Sequence, residues 1–175
     1  MTKWPHVPDC YGWLGLDRRG HWWMRDDSAQ CAGAFQSGQP GSRGSMLRHE
    51  KLIEFIHRNY EADGEGRWYF QNGPQRVYVE LEITPWIWRV EANGQVHAHT
   101  GMAAEVKNAL VDEKGHLYLS CHQGFGLVHS LDVGVAATCM EDQNWPLVEC
   151  VSEHLPQMFG YVISPQQGWR GVERA

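Results

Sequence analysis

No two cysteines in this sequence form a C-x-x-C pair, and the five present, Cys10, Cys31, Cys121, Cys139 and Cys150, are odd in number and widely spaced. That excludes a zinc ribbon and the disulfide framework of a small secreted domain. No stretch approaches the roughly 20 apolar residues that cross a bilayer. The opening Met-Thr-Lys-Trp-Pro-His lacks the apolar run of a signal peptide. The expectation is a cytoplasmic protein with no membrane partner. Basic clusters are missing too: charged residues make up 21% and the formal net charge is −6. A nucleic-acid binder needs a basic face, so nucleic acid is not an expected partner.

Aromatic rings are plentiful instead. Nine tryptophans in 175 residues, in a chain that is 42% hydrophobic, need a core to cover them, which argues against disorder. The length suits one compact domain over 1–164, or two small lobes sharing a core, divided as 1–62 and 63–164, with 165–175 as a loose tail.

One phrase is written four times. An acid is followed three residues later by glycine, at Asp17/Gly20, Asp63/Gly66, Glu91/Gly94 and Asp112/Gly115. Two residues past each glycine stands Trp22, Trp68, Val96 or Leu117, and four past it Met24, Phe70, Ala98 or Leu119. Period-two alternation marks a strand with one buried face. The acid can accept backbone N–H bonds ahead of it, and glycine takes the left-handed backbone without steric cost. The phrase therefore reads as a hairpin turn rather than as four copies of a site. Pairing Glu91 with Gln95 puts Trp86, Trp88, Val90, Val96 and Ala98 on one face, and Ile87, Arg89, His97 and His99 on the other. Ala109, Val111, Leu117, Leu119 and Cys121 sort inward in the same way. In the second copy the phrase is expected to join a helix to a strand.

The expected fold class is α+β: a mainly antiparallel, meandering sheet of hairpins with one main helix at 46–60 and one or two shorter helices. Leu52, Ile53, Ile56 and Tyr60 recur at helical spacing, Ser45 is the expected N-cap, and Asp63-Gly64 the stop. Strands are expected near 67–71, 75–83, 86–91, 95–100, 106–111, 116–121, 127–129 and 161–164, with a second helix at 131–141 and a helical turn ahead of Gly160. The Gly/Ser/Gln-rich stretch 28–45 reads as a mobile connection.

The segments WPHVPDCYGWLGLDRRGHWWMRD, HEKLIEFIHRNY, GRWYFQNGPQRVYVELE, GFGLVHSLD and LPQMFGYVISP resemble an uncharacterised proteobacterial family of unknown function over nearly the whole chain. That resemblance implies no activity and no catalytic residues. The order of the helix, GRWYF, PWIWRVE and DEKGHLYL is similar to a second uncharacterised bacterial family. That likeness implies an α+β fold with repeated structural motifs and a link to signalling.

Candidate sites compete with plainer readings. His97-x-His99 on a strand projects two imidazoles to one face, and with His129 would supply ligands for a divalent metal; the plainer reading is a polar strand face. Cys121 neighbours His122, but adjacent strand residues point to opposite faces, so a nucleophilic pair is disfavoured. Arg76 and Arg89 with Glu80, Glu82 and Glu91 read as cross-strand pairs. The glycines of 38–44 match neither phosphate-loop pattern. Trp22 and Trp23 must face opposite ways, so Trp23, with Trp13 and Tyr11, is expected at a groove or an interface. Trp4, Pro5 and Pro8 suggest an extended N-terminus.

The leading reading is a non-enzymatic cytoplasmic binding or regulatory protein without a cofactor. Trp13, Trp23 and Tyr11 would line a groove for a small ligand or a protein, and Arg89, His97 and Tyr118 would orient it. A small metal-dependent or hydrolytic enzyme using His97, His99 and His129 is the alternative. A structural subunit that forms a homodimer through exposed aromatics is the third.

Overall fold

The computed structural model describes residues 7–168. Expectations for Trp4, Pro5 and residues 169–175 fall outside that range. The fold is α+β, with its strands in two sheets. The chain divides into two compact units. The first holds the residues up to Asp17, then His21–Glu82 and the residues from Tyr161; the second holds Arg18–Gly20 and Ile83–Gly160. The expected division at 62/63 falls instead inside a hairpin, between strands whose ladder pairs Ala62 with Trp68.

The first unit runs β1 (Cys10–Leu16), β2 (Trp22–Met24), α1 (Asp27–Ala32), β3 (Ser45–Met46), α2 (Glu50–Arg58), β4 (Tyr60–Ala62), β5 (Trp68–Asn72) and β6 (Gln75–Leu81). Its sheet has the order β3-β2-β1-β6-β5-β4. Helix α2 is shorter than its apolar periodicity suggests. The His49 side chain, not Ser45, accepts the Leu52 N–H, and Ser45–Met46 pairs with β2. At the other end Tyr60 leaves the helical pattern to pair with Phe70 and to pack edge-on against Trp22. The phrase at Asp63 therefore joins two strands, not a helix and a strand.

The Gly/Ser-rich stretch is tied down. Asp26 caps α1 by accepting the Ala29 N–H at 2.9 Å. Phe35 is buried against Gly15, where an added Cβ would come within 2.5 Å of its ring. Arg25 is buried and donates to the carbonyls of Gly12, Gly33 and Ser42 at 2.7, 2.6 and 2.8 Å. A buried guanidinium needs such partners, and here they hold β1, the end of α1 and the loop at Ser42 to one point. Gly44 has φ +83° and faces the Met24 carbonyl, which an added Cβ would meet at 2.0 Å. The glycines of this stretch thus permit close turns rather than looseness.

Residues 161–164 add no strand. They lie on the sheet through single backbone bonds, Val162 N–H to Gly66 O and Leu81 N–H to Ile163 O, both 2.9 Å. Ser164 and, where a loose tail was expected, the Gln166 N–H donate to the buried Glu80 carboxylate. Burial pushes the Glu80 carboxyl up, and those donors oppose the shift.

The second unit runs β7 (Trp86–Val90), β8 (Val96–Ala98), β9 (Ala103–Ala104), β10 (Val106–Val111), β11 (Leu117–Cys121), β12 (Gly124–Val128), α3 (Val133–Gln143), β13 (Leu147–Glu149) and α4 (Leu155–Phe159). A 3-10 turn at Ser130–Asp132 leads into α3, so the longest helical stretch lies here and not in the first unit. The sheet order is β13-β10-β11-β12-β7-β8-β9. Leaving out β13, this repeats the first sheet. In each, a three-strand meander joins a hairpin, extended at its edge by the two-residue β3 or β9, through one parallel pair, β1 with β6 and β7 with β12. The registers coincide. Leu14 pairs with Met24 and Val79, as Trp88 pairs with Ala98 and Val128. Phe70 pairs with Tyr60 and Val77, as Leu119 pairs with Ala109 and Gly126.

All four turns close hairpins, each acid's N–H bonding the carbonyl of the residue after the glycine. Gly20, Gly66, Gly94 and Gly115 have φ of +84°, +81°, +88° and +84°. In three turns one carboxylate oxygen of Asp17, Asp63 or Asp112 accepts the N–H of His21, Arg67 or His116 at 2.9, 3.0 and 2.9 Å. The other oxygen accepts from the Trp23 indole, the Tyr78 hydroxyl or the Tyr118 hydroxyl at 2.9, 3.0 and 2.8 Å. At the fourth turn Asn93 replaces the acid as acceptor, taking the Gln95 N–H. Of the positions expected inward, Met24 is 45% exposed and Val111 is half-buried.

Burial works against the charge of Asp63 and Asp112, but the donated hydrogen bonds outweigh it and hold both carboxyls below the usual 3.8. Stability from a carboxyl so held is complete above the unfolded value and is lost as pH falls through the lower folded one. Asp112→Asn should therefore cost about 1–2 kcal/mol at neutral pH and flatten the acid limb of the thermal-melting profile. Gly126 has ordinary backbone angles, but an added Cβ would lie 2.3 Å from the Trp86 carbonyl oxygen. Gly126→Ala should destabilise by roughly 1–3 kcal/mol in urea unfolding.

Candidate functional site

The rings expected to share a groove do not line one hollow. Trp23 donates its indole N–H to Asp17, lies under the Arg43 guanidinium at 5.8 Å, and borders a shallow hollow formed by residues 38–44. Tyr11 stacks on Tyr78 with ring centroids 4.7 Å apart, and burial pushes its hydroxyl up. Trp13 is 40% exposed and stands at a different hollow, lined by Cys10, Trp13, Leu14, Met24, Leu52, Ile56, Phe70, Asn72 and Val77.

The polar residues expected to orient a ligand belong to the second unit. Tyr118 is buried, stacks on Phe125 and gives its hydroxyl to Asp112, so it serves the turn. Arg89 donates Nε and Nη2 to Asp132 at 2.7 and 3.3 Å. Burial disfavours the Asp132 charge, but Arg89 and the Val90 N–H hold its carboxyl below the usual range. His97 lies opposite Arg89 in the β7–β8 ladder.

Three histidines do not make a metal centre here. His99 turns Nδ1 back to accept the Ile87 N–H at 3.2 Å, and His129, buried, accepts the Leu131 N–H at 3.1 Å as the cap of the 3-10 turn. Among the described residues no three His, Cys, Asp or Glu side chains come together to hold a metal. The i, i+2 spacing aimed His97 and His99 to one face, but a histidine's second task, accepting a backbone N–H, is set by the tertiary fold.

The hollow of the first unit is built from both secondary structures. β1, β5 and β6 supply Leu14, Phe70 and Val77 as its floor, and Leu52 and Ile56, four apart on α2, face it from the helix. Met24, Trp13 and Leu52 keep 45%, 40% and 36% exposure at the hollow. It encloses about 270 Å³. The helical spacing of Leu52 and Ile56 was readable, but Phe70, Asn72 and Val77 enter only through the pairing of β5 with β6.

The second unit fills the corresponding place. Trp88 occupies the position of Leu14, is fully buried, and donates its indole N–H to the Leu119 carbonyl at 3.0 Å. Gly126 stands where Val77 does, and an added Cβ there would lie 2.8 Å from the Trp88 indole nitrogen. Ala98 stands where Met24 does. Two small residues thus make room for an indole, and Trp86 stacks beside it with centroids 6.2 Å apart.

Cys121, weighed as a nucleophile, is buried, and burial pushes its thiol up to about 12, while His122 beside it is exposed. A thiol held protonated is unreactive. At about pH 8, iodoacetamide should label the exposed Cys31 in the native protein, and reach Cys121 and the buried Cys139 only after unfolding. Peptide mass spectrometry reads the order; early labelling of Cys121 would contradict the burial.

Among the described residues no helix is long and apolar enough to cross a membrane. No curated protein matches the sequence. Two solved structures are similar in backbone. A DUF1285 family protein from Shewanella baltica OS155 is 12% identical, covering 73% of this chain and 91% of its own, with a TM-score of 0.48. A DUF1285 family protein from Silicibacter pomeroyi DSS-3 is 14% identical, covering 78% of this chain and 71% of its own, also at 0.48. Residues 1–166 match a family described as "Protein of unknown function (DUF2946)", and the chain belongs to that family.

Proposed function

We propose that the protein binds a small, flat apolar molecule in the hollow between α2 and the first sheet, and acts by recognition. The observation that carries this reading is the comparison of the two repeats: where the second unit seats the Trp88 indole, the first leaves an apolar space of about 270 Å³. That volume suits a one- or two-ring molecule rather than a drug-sized one. Leu14, Phe70, Val77 and Ile56 would supply burial, and the exposed Trp13 would close over the ligand's face. Asn72 is the polar side chain in the lining that can orient a ring N–H or hydroxyl.

Indole is the probe. Added to protein with labelled methyl groups, it should shift the Leu52 and Met24 methyls saturably, with calorimetry giving the affinity. The variant Leu14→Trp/Met24→Ala/Val77→Gly carries the second unit's filling into the first; it should fold and lose indole binding. No saturable shift in the wild type, or unchanged binding in the filled variant, would reject the site.

A further inference from the structure

The second unit holds a hollow of opposite character. It is an open hollow lined by Arg19, Gly20, Arg89, His97, Ala98, His99, Thr100 and Gly101, with a volume of about 420 Å³. We infer that it is a binding site for a small doubly charged oxyanion, a phosphate or phosphate-monoester group, held between the Arg19 and Arg89 guanidinium groups beside His97.

Three features support this site. First, among the described residues the lining has two arginines, two histidines and a threonine hydroxyl but no carboxylate, in a chain of formal net charge −6. Second, Arg89 is oriented before any ligand arrives. Asp132 takes Nε and Nη2 of its planar fork, which fixes the guanidinium and leaves Nη1 for a further acceptor. Asp132 offsets part of the Arg89 charge, and Arg19 brings a second guanidinium to the lining. Third, Arg19 is brought to the hollow by a close approach that glycine alone allows. Gly20 has φ +84°, and a Cβ there would lie 2.7 Å from the His99 Cβ. Arg18–Gly20 belong to this unit although the strands that flank them do not. His97, across the ladder from Arg89, places a ring that can donate a hydrogen bond next to a fixed cation, an arrangement an oxyanion bridges and water bridges less well. The hollow exceeds a bare phosphate in size, which leaves room for the group that carries it.

The test uses inorganic phosphate on the full chain at constant ionic strength, with imidazole ¹H–¹⁵N resonances as the readout and chloride as the matched control. Phosphate should shift the His97 signals saturably and chloride should not. Arg19→Gln should weaken phosphate roughly tenfold, the loss of one charge-assisted hydrogen bond. Arg48→Gln, which removes an exposed arginine of the first unit, should leave the affinity unchanged. Both arginines sit outside the cores, so folding is not at stake. A non-saturating shift, an equal response to chloride, or equal weakening by both variants would overturn the site and leave only bulk charge. Succinate binding as tightly as phosphate would also overturn the phosphate assignment, in favour of a dicarboxylate.

Discussion

Both sheets depend on one local interaction: a side-chain oxygen, of Asp17, Asp63, Asn93 or Asp112, accepting the backbone N–H of the residue that follows a left-handed glycine. At Asp17, Asp63 and Asp112 that bond fixes the hairpin register, and the second carboxylate oxygen then secures an aromatic side chain. A one-residue slip would exchange the faces of every flanking strand. Because the same turn sets β1–β2 and β7–β8, and again β4–β5 and β10–β11, two segments with little sequence in common reach the same register. Repetition of a turn thus becomes repetition of a sheet.

The repeats differ in how they satisfy their apolar faces. The first unit spends chain length on α1, α2 and the Arg25-clamped loops between its hairpin and its meander. The second joins β9 to β10 through Glu105 alone and relies on large side chains, with Trp86 and Trp88 packed where Gly124, Gly126 and Ala98 make space. A helix lies over a sheet less closely than an indole packed into it, and the hollow beneath α2 is the residue of that difference. The two units thus carry complementary chemistries: an apolar space in one, an arginine- and histidine-lined space in the other.

Much of the fold was legible in the sequence. The acid-glycine phrase and period-two alternation placed β7, β8, β10 and β11 within one or two residues, and paired Glu91 with Gln95 in the register observed, while β12 starts three residues earlier than expected and β9 and β13 carried no such signal. Local signals misled where one residue satisfied two patterns. Tyr60 fits the helical spacing of α2, yet its ring is buried by pairing in β4. Residues 28–45 have a linker's composition, yet Arg25 and Phe35, one on either side of α1, bind them to the body.

The candidate sites were legible only in part. Trp13 as an exposed ring, and Arg89 with His97 as a polar pair, follow from strand alternation, which depends on near neighbours alone. The sequence by itself determined the turns, the strand faces and the α+β class, because these are set by interactions within a few residues. Only the tertiary structure decided that Tyr118 serves Asp112, that His99 and His129 cap backbone N–H groups, and that Leu14 leaves open what Trp88 fills. Each of those outcomes depends on which side chain arrives from a distant strand or helix, and on how much volume it brings.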